Sequence, residues 1–70
     1  MHTTQVNSSN IKSIGYDAQV AILEVEFISG DIYQYFNVPE YLYRQFLNAS
    51  SYGRFLNDYI RYNYRYQKVR

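Results

Sequence analysis

Gly30-Asp31-Ile32-Tyr33-Gln34-Tyr35-Phe36-Asn37-Val38-Pro39 divides this chain into a strand half and a helix half. Gly30 can take the positive φ of a tight hairpin, so Ser29-Gly30-Asp31 reads as a turn. The aromatic run over residues 32–36 then returns as an antiparallel strand, which stops because a helix begins. Asn37 is placed to cap that helix, with Pro39 tolerated in its first turn and Glu40 at a capping-box position near the positive end of the dipole. Both faces of the strand are apolar. Ile32 and Phe36 lie on one and Tyr33 and Tyr35 on the other, so the period does not say which is buried.

Working back from the turn, Leu23, Val25 and Phe27 alternate with Glu24 and Glu26, the period-two pattern of a strand with one wet face. Before it, Asp17-Ala18-Gln19 reads as a turn. Residues 11–16 form a short strand with Ile14 and Tyr16 on one face and Ile11 and Ser13 on the other. Residues 1–10 are polar and without period, and are expected to be a mobile arm that pairs late if it pairs at all.

Working forward, Leu42, Phe46 and Ala49, flanked by Tyr43 and Leu47, give a helical stripe to about Ala49. Ser50 or Ser51 caps a second helix, in which Tyr52, Phe55, Leu56, Tyr59 and Ile60 share a buried face and leave Arg54, Asp58 and Arg61 outside. Gly53 costs roughly 1 kcal/mol inside a helix, so it belongs in the first turn or permits a close approach. The tail, residues 62–70, alternates tyrosine with polar or basic residues and reads as an extra strand or an extended arm. The expected architecture is a single α+β domain over residues 1–70. A three-stranded antiparallel meander is covered on one face by two short helices (β-β-β-α-α), with an extended C-terminal tail.

Size and composition narrow the possibilities. A chain of 70 residues buries only about 60% of its unfolded surface, so each large side chain counts. With no cysteine, neither a disulfide nor a thiolate metal site can supplement the core, and the 10 tyrosines and 4 phenylalanines must carry the burial. No stretch approaches a membrane span and no apolar run follows a basic start, so a cytoplasmic protein is the default expectation. The net charge of +1 conceals a division. Residues 1–40 hold Lys12 against Asp17, Glu24, Glu26, Asp31 and Glu40, giving −4, whereas residues 41–70 hold Arg44, Arg54, Arg61, Arg65, Lys68 and Arg70 against Asp58, giving +5. An acidic and a basic half follow, the basic half dominated by arginine, the better partner for planar and phosphate groups.

Catalysis has little support. His2, the sole histidine, falls in the arm, without the packing that positions a base or a ligand. Glu24 and Glu26 lie roughly 6.5–7 Å apart by strand rise, a separation that suits an acid and base pair, yet alternating charge on a strand is ordinarily its solvated face. No Gly-rich phosphate loop, Ser-His or Cys-His pair or metal spacing occurs. Gly53-Arg54 at a helix start can hold an anion, but capping explains it equally well. The chain therefore reads as non-catalytic, with no metal and no small-molecule cofactor expected.

Two stretches carry binding chemistry. Tyr33 and Tyr35 form either a platform for unstacked bases or the core face beneath the helices, and the need for burial favours the core. Arg54, Arg61, Arg65, Lys68 and Arg70, interleaved with Tyr62, Tyr64 and Tyr66, supply both phosphate neutralisation and stacking, against the plainer reading of a solvated helix face with a sticky tail.

The ordered set Tyr33-Gln34-Tyr35, Val38-Pro39, Ala49-Ser50-Ser51-Tyr52-Gly53-Arg54-Phe55-Leu56-Asn57 and Ile60-Arg61 leading into Tyr64 resembles the KTSC domain, a small family found at the C-terminus of some lysyl-tRNA synthetases and as a lone domain in bacteria. The resemblance covers residues 9–69. It implies RNA binding, suggested by the association with a synthetase, with any partner met in trans. The expectation is a small non-catalytic module that binds RNA through Arg54, Arg61, Tyr62, Tyr64, Arg65, Tyr66, Lys68 and Arg70. The competing expectation is a protein-interaction or self-associating domain, motivated by an open sheet and the tail tyrosines.

Overall fold

The computed structural model describes residues 2–70, which form β1 (His2–Gln5), β2 (Ile11–Asp17), β3 (Ile22–Phe27), β4 (Ile32–Tyr35), α1 (Glu40–Leu47), α2 (Tyr52–Phe55), a π-helical turn (Leu56–Ile60) and β5 (Tyr66–Lys68). The strands make one antiparallel sheet in the order β1-β2-β3-β4-β5. The α+β class and the meander are as expected, but five strands replace three. Residues 2–5 of the expected arm pair with β2, Thr4 opposite Ile14, and Met1 lies outside the described residues. The tail supplies β5, Tyr66 opposite Tyr35. Both added strands lie at the sheet edges and are exposed along their length. Neither face of such a strand is dry, so neither leaves an apolar period in the sequence.

Gly30 takes φ +98 in the turn between β3 and β4 and donates to the Phe27 carbonyl at 2.9 Å. The register sets Leu23 opposite Tyr35 and Val25 opposite Tyr33, so these residues share the sheet face on which the helices pack. That face, with Ile11, Ile14, Val38, Leu42, Phe46, Leu56 and Ile60, forms the core. Ile11 departs from strict alternation. A bulge between Ile11 and Ser13 shifts the register, and the extra residue turns Ile11 onto the face of Ile14, where both are fully buried. The opposite face carries Thr3, Gly15, Glu24, Gln34 and Gln67 in one row, and no helix covers it.

The expected cap by Asn37 does not form. Asn37 takes φ +60, and Pro39, extended at ψ 149, occupies the cap position without a side-chain bond. Glu40 instead reaches forward, accepting from Arg44 at 2.8 Å. The helix is held by tertiary contacts: Tyr16 stacks on Tyr43 with centroids 4.8 Å apart, and its hydroxyl donates to the Val38 carbonyl at 2.6 Å. Ser51 caps α2 as expected, its Oγ accepting from the Arg54 N–H at 3.3 Å, and Gly53 sits in the first turn. After Phe55 the helix widens, with the Arg61 N–H donating to the Leu56 carbonyl at 2.8 Å. The wider turn lowers the angular step per residue. Leu56 and Ile60 stay buried while Tyr59, expected inside, swings out to 54% exposure.

Candidate nucleic-acid interface

α1 and the π-helical turn do not cover the whole sheet, and on the β4–β5 side they leave a groove of about 860 Å³. Its floor is aromatic. Tyr66 from β5 lies beside Tyr35 and Tyr33 from β4, with ring centroids 5.8 Å away in each case, and Phe27 meets Tyr33 edge-on at 5.7 Å. The pairing of β5 with β4 brings these rings together. Tyr35 is 3% exposed and closes the floor against the core, Tyr33 is half-buried, and Tyr66 remains 57% exposed. Tyr35 thus belongs to the core, as burial favoured, and Tyr33 packs against it, while both also line the groove.

Arg54 and Arg61 stand on the helical wall, with Asn57 and Asp58 between them. The π-helical turn delivers Arg61 to this place, and Asn57 Oδ1 accepts from its guanidinium at 3.3 Å. Arg61 also lies over the ring of Tyr62, 5.6 Å from the centroid, a cation–π geometry. Burial pushes the Tyr35 phenol above its ordinary pKa of 10.0, and Arg61 opposes that rise. The remaining walls are Ile28, Ser29 and Asp31 of the turn between β3 and β4 and the segment over residues 8–10, where Ser8 Oγ accepts from the backbone N–H groups of Asn10 and Ile11 at 3.3 Å. Sequence reading missed the latter wall; its Ser-Ser-Asn run is the signal that a polar loop offers.

A second hollow of about 550 Å³ adjoins the groove and is lined by Arg61, Tyr62, Asn63, Tyr64, Arg65 and Tyr66. Arg61 and Tyr66 belong to both and form the saddle between them. Tyr62 is 80% exposed, whereas Tyr64 packs partly against the core.

The structure does not bring all the sequence-selected cations to this place. Lys68 pairs with Asp31 at 3.4 Å, and Arg70 reaches Glu26 at 3.4 Å on the open sheet face. Arg54 pairs with Asp58 at 3.6 Å. The acidic and basic halves therefore interleave across the sheet and do not form two surfaces. Glu24 and Glu26 are occupied structurally: Glu24 accepts from Gln34 at 3.0 Å, and Glu26 takes Ser13, Arg70 and Lys12. His2 lies on the exposed edge strand. Among the described residues no group of three or more His, Cys, Asp or Glu could hold a metal, and no helix is long and apolar enough to cross a membrane.

The family model of the KTSC domain matches residues 7–64. An uncharacterized protein of Stutzerimonas stutzeri is 40% identical over 70 residues, spanning 99% of each chain. A lysine–tRNA ligase of Nostoc punctiforme is 33% identical over 61 residues, which are 87% of this chain but 11% of the ligase. The crystal structure of a KTSC domain protein from Yersinia pestis superposes with a TM-score of 0.94 at 38% identity, covering 99% of this chain and 97% of that one.

Proposed function

This chain belongs to the KTSC domain family, and on that premise we propose that it is a non-catalytic module that binds RNA at the groove and hollow joined by Arg61 and Tyr66. The carrying observation is the saddle itself. An arginine held by Asn57 lies over exposed Tyr62 and lines both hollows together with exposed Tyr66, which is the pairing of phosphate contact with stacking surface that RNA binders use. A relative named for a tRNA substrate, the lysine–tRNA ligase of Nostoc punctiforme, carries a similar segment and supports the same reading.

The test is a titration of fluorescently labelled transfer RNA by anisotropy at low and moderate salt. Binding should weaken with salt, and Arg61→Ala combined with Arg65→Ala should weaken it further while leaving the fold intact. Absence of salt-dependent binding at tens of micromolar protein, an order-of-magnitude ceiling for a useful module, would sink the reading.

A second reading has its own observation. β1 and β5 are both exposed edges of the sheet, and exposed edges invite pairing with another chain. A self-associating domain would show a concentration-dependent mass by light scattering. A constant monomer mass would remove that version.

A further inference from the structure

We infer, resting on the RNA reading above, that the ligand is an unstacked single strand, with one phosphate on Arg61 and the flanking bases on Tyr66 and Tyr62. Most of the cations are already occupied. The chain has 7 lysines and arginines, and five of them, Lys12, Arg44, Arg54, Lys68 and Arg70, lie within 4.0 Å of a carboxylate. A phosphate that approaches Arg54 also approaches Asp58, and one that approaches Lys68 meets Asp31. Arg61 and Arg65 are left without an opposing carboxylate among the described residues, and both line the second hollow.

Two cations are too few for a duplex reader. A duplex hides its base faces in the stack, so a protein meets it through phosphates and sugars, and affinity built that way uses roughly six to ten phosphate contacts. Here most of the affinity must come from aromatic faces, and those are reachable only by splayed bases. The saddle supplies them. Tyr66 is backed on one side by Tyr33 and Tyr35 and remains 57% exposed, while Tyr62 is 80% exposed beneath Arg61. The two hollows meeting at Arg61 and Tyr66 give neighbouring bases separate places with a phosphate between them.

The experiment compares a labelled oligouridine strand with a labelled RNA duplex of equal length, by anisotropy across about 50 to 200 mM salt. The strand should bind about tenfold or more tighter than the duplex, with log K falling by about 0.7 per phosphate, hence a slope between roughly −0.7 and −1.4 for one or two phosphates. Tyr62→Ala, at a side chain too exposed to unfold the domain, should weaken the strand about tenfold, and Tyr66→Leu likewise, with circular dichroism confirming the fold. Equal affinity for duplex, or a slope near −4 or steeper, an order-of-magnitude mark of many phosphate contacts, overturns the single-strand inference and leaves the RNA reading standing. Failure of both probes to bind overturns both.

Discussion

Tyr16 ties the sheet to the first helix through one short hydrogen bond and one stacked ring. Its hydroxyl donates to the Val38 carbonyl at 2.6 Å and its ring stacks on Tyr43. Tyr16→Phe keeps the ring and removes the donor, so urea unfolding should show a loss of about 1 kcal/mol. Burial, then Glu40 and Asp17, raise the Tyr16 pKa above 10.0, and burial raises that of Tyr35. A phenol whose folded pKa exceeds its unfolded value holds its proton more tightly when folded. The stability it contributes is present below pH 10 and is lost as pH rises through the raised pKa. Unfolding free energy should therefore fall in alkaline solution, and fall less in Tyr16→Phe. Equal alkaline losses in the two proteins would count against this role. Nothing in the sequence marks Tyr16 apart from the other tyrosines, because its partners lie on another element.

Phe46 shows what holds the helical layer. It is fully buried, stacks on Phe55 with centroids 5.4 Å apart and meets Tyr52 edge-on at 6.2 Å. Phe46→Ala should cost about 3–5 kcal/mol. A domain of this size carries roughly 5 kcal/mol in all, so the variant should be largely unfolded in a thermal melt followed by circular dichroism. A cooperative melt within a few degrees of the parent would contradict that. At this scale the sequence was legible wherever one face was dry. The alternation of Leu23 and Val25 with Glu24 and Glu26, the Gly30 turn and the Ser51 cap are all present. What escaped are departures from ideal period: the bulge that turns Ile11 inward and the π-helical turn that swings Tyr59 outward; of the two edge strands, which have no dry face, the C-terminal one was legible only as one of two alternatives. The bulge and the edge pairings are fixed by strands distant in sequence, which local propensity does not report.

For the molecule as a whole, the two stretches weighed separately in the sequence meet in one place. β5 lays Tyr66 against Tyr33 and Tyr35, and the π-helical turn sets Arg61 above them. The residue types of the site could be read from the sequence. Its charge could be read only in part: Asp58 lies four positions from Arg54, but the carboxylates that occupy Lys68 and Arg70 come from far along the chain, Glu26 meeting Arg70 across 44 positions. The basic C-terminal half thereby becomes a candidate site of few unpaired cations and accessible rings. The most direct test of this account is a 15N–1H NMR titration with single-stranded oligouridine. The account expects the perturbed amides to cluster at Arg61, Tyr62, Tyr66 and Tyr33. Perturbations concentrated on the open sheet face around Glu24 and Gln34, or on β1, would contradict it.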